Sequence, residues 1–250
     1  MDTENRGFRL VLQYDGTAYH GWQVQPDAAT IQGELEAVLG RIARHPVRVE
    51  GAGRTDAGVH ALGQVAAFRI RTRMTPEEML RALNSMLPRD IRVLQCEAAP
   101  PEFHPRYQAV SKIYYYQMFT GPVISPFLGP HAHHHRWPLD IPRMEAAARY
   151  FTGTHDFTAF CAADSEVRDR VRTVSAAELC QRDDLLVFVV QASGFLKQMV
   201  RTMVGTLLEA GRGKIEPDEV ERIIRGRDRK RAGPTAPARG LFLYRVKYPG

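Results

Sequence analysis

The 250-residue chain has little that would tie it to a membrane, to export or to a metal framework. Cysteine is scarce. Cys96, Cys161 and Cys180 are widely spaced and odd in number, so they form neither a CxxC metal pair nor a disulfide framework, and they suit a reducing compartment. Long hydrophobic runs are missing too: the longest, residues 185–190, is far short of the roughly 20 residues that span a bilayer. The opening MDTENRGF lacks the apolar centre of a signal peptide, so export is not predicted and the cytoplasm is the expected location. Acidic residues are outnumbered, 28 against 34 Lys and Arg, leaving a net charge of +6. Such an excess favours a polyanionic partner. The densest basic run is RIIRGRDRKRAG (222–233), which reads either as a solvated loop or as a surface for phosphates.

What is present is enough for a proper core. The chain is 44% hydrophobic and 25% charged, as in soluble globular proteins, and long enough for one large domain or two ordinary ones. Periodicity gives a rhythm of elements. Strands are predicted at 8–16, 47–53, 63–71 and 90–98, and helices at 30–44 and 75–87. The first helix has Thr30 as its cap and Ile31, Leu35, Val38, Leu39 and Ile42 on one face; the second starts Thr75-Pro76 with Glu77 and Glu78 at its positive end. The order is β-α-β-β-α-β. The second half repeats it: strand 111–119, helix 140–153, a hairpin of 172–181 and 184–192 turning at Arg182-Asp183, a long helix 194–211, a shorter helix 217–226 and a last strand 240–248. The expected fold class is therefore α+β: two ferredoxin-like domains, 1–105 and 106–250, related by a pseudo-twofold, with helices on one face of antiparallel sheets and a cleft between them as the natural ligand site.

One stretch calls for chemistry. GAGRTDAGVHALGQ (51–64) surrounds a single carboxylate, Asp56, with permissive backbone and places Arg54 two residues before it. A carboxylate that must stay ionised away from water needs a cation or hydrogen-bond donors. Arg201, alone among Met199, Val200, Met203 and Val204 on the long predicted helix, is a candidate for a partly buried charge seeking an acid. The residues alone leave two readings open: a buried pair of that kind, or a surface pair of Arg54 with Asp56 and an Arg201 that snorkels to solvent.

These residues carry a resemblance. GAGRTDAGVHALGQVAAF resembles the signature of the tRNA pseudouridine synthase A family. YDGTAYHGWQVQP (14–26), FHPRYQAVSKIYYYQMF (103–119), GFLKQMVRTMVGTLLEAGRGK (194–214) and RAGPTAPARGLFLYRVKY (231–248) are similar to its other motifs, in order and over nearly the whole chain. The resemblance implies isomerisation of uridine to pseudouridine at positions 38, 39 and 40 of tRNA, in and beside the anticodon loop, by a homodimer needing no metal and no organic cofactor. It puts the catalytic aspartate at Asp56, the arginine that helps displace the base at Arg54, the tyrosine that stacks on uracil at Tyr114, and the arginine that pairs with the acid at Arg201. Gly58 and His60, in the same signature, are further candidates near the substrate, His60 as a structural hydrogen-bonding group. Arg69, Arg71, Arg225, Arg227, Arg229 and Lys230 are candidate phosphate contacts.

GPHAHHHRWP (129–138) departs most from the family. Its histidines, His131 and His133 to His135, suggest an exposed segment that picks up metal adventitiously rather than a metal site. Two readings of other classes stand beside the isomerase: an RNA-binding module without activity, and a His-dependent metallohydrolase built on 131–135.

Overall fold

The computed structural model describes residues 5–249. The chain folds into two compact units, Met1–Val110 with Leu243–Gly250, and Ser111–Phe242. In chain order the first contributes β1 (Asn5–Tyr14), α1 (Ile31–Ala43), β2 (Val49–Gly51), β3 (His60–Arg71), α2 (Pro76–Met86) and β4 (Ile91–Ala99). The second contributes β5 (Ser111–Phe119), β6 (His133–His134), α3 (Ile141–Arg149), β7 (Gly153–Asp156), β8 (Val171–Arg182), β9 (Leu185–Ala192), α4 (Met199–Gly211) and α5 (Glu219–Gly226). The last strand, β10 (Leu241–Lys247), places Leu243 onward in the first unit. Among the described residues no helix is long and apolar enough to cross a membrane.

In the first unit the strand order is β4-β1-β3-β10, with β2 also on β3. The pairings of β1 with β3 and β4, and of β2 with β3, are antiparallel. Strand β1 alternates: Phe8, Leu10, Leu12 and Tyr14 are buried, while Gly7, Arg9, Val11 and Gln13 are half-buried. The buried faces of the helices are the ones their spacing predicts, with Ile31, Leu35, Val38 and Leu39 on α1 and Met79 and Leu83 on α2. Thr30 caps α1 by accepting from the Gly33 amide. Thr75 and Glu78 form a reciprocal capping box at α2, with Pro76 in its first turn.

In the second unit the strands run β5-β9-β8-β7, each neighbouring pair antiparallel, with β6 lying parallel to β5. Buried residues alternate along β9 (Leu186, Phe188, Val190, Ala192) and along β5 (Tyr114, Tyr116, Met118). Helix α4 is buried on almost every side, and only Arg201 and Glu209 of its residues are half-exposed. An apolar helix that is enclosed in this way belongs to a core.

Several boundaries differ from the sequence reading. Helix α4 starts at Met199 rather than 194, because Gln198 takes a left-handed conformation (φ 62) that a right-handed helix cannot continue through. Helix α3 ends at Arg149 rather than 153, and Gly153 instead opens β7, which runs to Asp156. The β8–β9 hairpin turns one residue later than expected, at Asp183-Asp184, with Asp183 at φ 52. Strands β6 and β7 span only two and four residues and show no apolar alternation, which is the signal that finds strands.

Candidate active site

In the first unit, β2 runs into the loop 52–59, and the segment 14–22 holds that loop from below. The Ala52 amide donates to the Val65 carbonyl (2.8 Å), extending the β2–β3 ladder by one bond. The buried Gln64 amide then donates to the Gly53 carbonyl (2.8 Å) and to the Tyr14 hydroxyl (3.4 Å). Thr55, itself buried, shares a 2.9 Å hydrogen bond with the Tyr14 hydroxyl, and its carbonyl accepts from the Trp22 amide (3.0 Å). Beyond Asp56 the chain turns: the Val59 amide donates to the Asp56 carbonyl (3.1 Å), and Gly58 adopts φ 74. The Gly58 amide reaches the Tyr19 carbonyl at 3.2 Å.

Two glycines below the loop are required by close approach. A Cβ on Gly16 would lie 2.1 Å from the Val59 carbonyl oxygen. One on Gly21, already at φ 93, would lie 2.5 Å from the Thr55 oxygen. The permissive backbone in YDGTAYHGW therefore lets the segment 14–22 touch the Asp56 loop main chain to main chain. Thr55 is pinned inward by its hydroxyl, leaving Asp56 half-buried and Arg54 exposed on either side of it. His60 is fully buried, and its Nδ1 accepts from the Gly16 amide at 3.1 Å, tying the end of the loop to the end of β1.

In the second unit, Tyr114 is buried on β5, with Phe195 edge-on at 4.9 Å. Two residues along, Tyr116 is fully buried and donates to the Pro237 carbonyl at 2.8 Å; burial drives its hydroxyl pKa up. Arg201 projects from the first turn of α4. Its Nε donates to the Ala236 carbonyl (2.7 Å), and the Ala236 amide donates back to the Arg201 carbonyl (3.0 Å). The segment 233–236 lies directly on α4 at Gly205, where a Cβ would sit 1.6 Å from the Pro234 oxygen. The closing motif thus serves as a clamp that fixes the Arg201 guanidinium by one of its nitrogens.

The sequence matches the family described as tRNA pseudouridine synthase over residues 10–108 and 147–249. The chain belongs to that family. It is 50% identical over 246 residues to the tRNA pseudouridine synthase A of Solibacter usitatus, covering 97% of this chain and 100% of the relative. To the proteins of that name from Exiguobacterium sibiricum and Moorella thermoacetica it is 45% and 48% identical, over 98% and 96% of this chain and 97% and 98% of those proteins. Arg54, Asp56, Gly58, His60 and Arg201 fall inside the matched residues; Tyr114 and the His-rich stretch fall in the interval between them.

That stretch is not the exposed segment its composition suggests. Strand β6 pairs with β5 (Met118 with His133, Phe119 with His134), and the His135 amide donates to the Phe119 carbonyl at 2.8 Å. His135 is buried and His131, His133 and His134 half-buried, because pairing with a core strand draws them in. His133 Nδ1 and His135 Nε2 have no hydrogen-bond partner among the described residues. Burial first, then the neighbouring His135, Arg239 and His134, lowers the His133 pKa to about 4. Burial and then Arg212 lower that of His135.

The basic run is also altered by its fold. Arg222 pairs with Asp218 (2.7 Å) and Glu219 (3.1 Å), Arg225 with Glu221 (2.6 Å), Arg227 with Asp156 (3.1 Å), and Arg231 with Glu219. Arg229 is spent on the carbonyls of Ala232 (3.4 Å) and Gly233 (3.0 Å) and the Thr235 hydroxyl (3.0 Å). Lys230 is exposed, as are Arg69 and Arg71 at the end of β3.

Proposed function

We propose that this protein converts uridine to pseudouridine in tRNA, at positions 38, 39 and 40 of the anticodon arm, with Asp56 as the catalytic group. The observation that carries the reading is the loop 52–59 itself. Its one carboxylate sits half-buried on a backbone fixed at Gly53, Thr55 and Gly58, in a chain with full-length relatives named tRNA pseudouridine synthase A. The reaction breaks the N1–C1′ glycosidic bond, turns the uracil and joins C5 to C1′. C5 gives up its proton and N1 ends protonated, so atoms and electrons balance with no cofactor. A carboxylate can serve by attack at C1′, by attack at C6, or as the base that begins elimination from the ribose.

In this reading Arg201 keeps Asp56 ionised and oriented, and its clamp to Ala236 preorganises that role. Arg54, exposed beside Asp56, helps displace the base from its stack. Tyr114 offers a ring to the detached uracil, and the fully buried Tyr116 and the edge-on Phe195 hold that ring in place. Gly58 leaves room for the nucleoside, and His60 secures the loop. Unstacking costs a few kcal/mol, least where pairing is weak, as at the end of an anticodon stem. We further infer two ferredoxin-like domains related by a pseudo-twofold with the cleft between them, a homodimer, and a cytoplasmic location. Arg69, Arg71 and Lys230 are the better-placed phosphate contacts, since Arg225, Arg227 and Arg229 already have partners.

The test is incubation with unmodified tRNA transcripts, mapping pseudouridine by carbodiimide-stop primer extension. Stops at 38 to 40 are expected with the wild type, and none with Asp56→Ala or Asp56→Asn although tRNA still binds. Product formation by Asp56→Ala, or stops elsewhere only, would refute the assignment.

A further inference from the structure

The net positive charge of this chain has to reside on groups that are not already neutralised, and four arginines of the 222–231 run, Arg222, Arg225, Arg227 and Arg231, are already paired with carboxylates. Four arginines of the first unit, Arg48, Arg69, Arg71 and Arg106, are exposed and have no carboxylate within ion-pair distance among the described residues. Arg48 and Arg69 line one cavity of about 390 Å3, formed where β2 crosses the end of β3 and the chain 99–104 passes beneath. Val49 is paired with Phe68, so Arg48 and Arg69, one step further along each strand, are brought side by side. Like charges in that position repel unless an anion lies between them.

Of the carboxylates nearby, Glu97 is paired with Arg9 (3.3 Å), while Glu50 lies 3.4 Å from the His104 Nε2. Glu50 and Glu102 are the two acids on the cavity, set against four guanidinium groups that have no carboxylate partner among the described residues. Beside them stands an aromatic platform. Tyr107 is 76% exposed, yet its ring is not loose: His104 lies against it with ring centres 4.2 Å apart, and the Arg106 guanidinium is 5.7 Å from its centre. His104 is itself fixed, since its Nδ1 accepts from the Arg106 (3.1 Å) and Tyr107 (3.4 Å) amides while Nε2 meets Glu50. A braced, exposed ring flanked by unpaired arginines matches a strand of nucleic acid: phosphates for the guanidinium groups, a base for the ring.

We propose that this face, Arg48, Arg69, Arg71, Arg106 and the His104–Tyr107 platform, is a second RNA contact of the enzyme, which grips phosphodiesters and stacks one unpaired base away from Asp56. It rests on the tRNA reading above and adds to it a surface that sets affinity rather than chemistry. An acidic peptide would satisfy the arginines but would leave Tyr107 without a reason to be braced.

The experiment is filter binding of an unmodified tRNA transcript across a salt series. Each phosphate contact contributes about 0.7–0.9 to the slope of log affinity against log salt. R48A/R69A is expected to weaken binding by about tenfold and to reduce that slope by about one to two. Tyr107→Ala is expected to weaken binding by about tenfold with the slope unchanged, and Tyr107→Phe to restore it. Arg81→Ala, which removes one exposed charge from α2, serves as the control and should stay within twofold. Circular dichroism melts confirm folding, and Arg48 and Arg69 have no carboxylate partner to lose among the described residues. If R48A/R69A and Tyr107→Ala both bind within twofold of the wild type, the proposal is overturned. Pseudouridine formation by the wild type on the same transcripts separates the two claims. Product with unaltered variant affinity sinks the surface alone, whereas lost affinity without product sinks the isomerase reading and leaves the RNA surface standing.

Discussion

The Tyr14 and Thr55 hydroxyls meet at 2.9 Å in the interior of the first unit, 41 residues apart in the chain. This bond fixes the residue next to Asp56 to the end of β1. Replacing Thr55 by Val keeps the shape and removes the bond, leaving the Tyr14 hydroxyl only the longer 3.4 Å contact with Gln64. A half-satisfied buried hydroxyl costs about 1–3 kcal/mol, so the urea midpoint should fall. On the proposed role of Asp56, misplacing it by about 1 Å costs on the order of a hundredfold, so single-turnover pseudouridine formation should fall tenfold or more. Thr55→Ser should recover most of both. Unchanged turnover in Thr55→Val would mean that the bond does not position Asp56.

The same hydroxyl makes an alkaline prediction. Burial, only partly offset by the hydrogen bonds to Thr55 and Gln64, pushes the Tyr14 pKa up to about 12, from an ordinary 10.0. The folded state therefore holds its proton where the unfolded chain has released it. The stability from this group is complete below pH 10 and is lost as the pH rises toward 12, by about 1.4 kcal/mol per pH unit. Burial raises Tyr116 and Tyr248 as well, so their losses add. Chemical denaturation at pH 9 and pH 11 should show the decline, and Tyr14→Phe should make it shallower. Equal slopes in the two proteins would count against the assignment.

Gly205 offers a steric test of the clamp on Arg201. A methyl group there would meet the Pro234 carbonyl at 1.6 Å, a distance no local adjustment absorbs. Gly205→Ala should cost about 1–3 kcal/mol or more, because the segment 233–236 must lift from α4. Lifting it breaks the Arg201–Ala236 bonds, so turnover should fall further than stability alone explains. Gly129→Ala, where a Cβ would find open space, is the matched control and should melt like the wild type.

Much of this architecture is legible in the sequence where one element suffices to define itself. Thr75-Pro76-Glu77-Glu78 announces α2 because cap, proline and acids all act within one turn. The alternation of Tyr114, Tyr116 and Met118 announces β5 because a strand with one buried face has period two. What escapes notice depends on partners distant in the chain. Arg227 looks like free charge until Asp156 is seen beside it, and Arg48 and Arg69 look scattered until β2 is laid on β3. The Asp56 signature can be recognised from its own residues. The reason for Gly16 and Gly21 cannot, because the loop they accommodate, 52–59, lies far downstream and no periodicity links the two.

The His-rich stretch shows the same dependence, and its burial can be read out by acid. His133 is held neutral to about pH 4 by burial, by His135, Arg239 and His134 around it, whereas in the unfolded chain it protonates near 6.5. His135 is lowered as well, by burial and Arg212, with Glu209 opposing. Below the unfolded value the unfolded state binds more protons than the folded one. The stability from these groups is therefore full above pH 6.5 and is lost as the pH falls toward 4. Melting temperature should drop across that window in the wild type and drop less in His133→Gln, whose amide does not titrate. Were the run an exposed segment, folded and unfolded histidines would take up protons alike. The two proteins would then lose stability in parallel, and this outcome would remove the case for neutral imidazoles packed against β5.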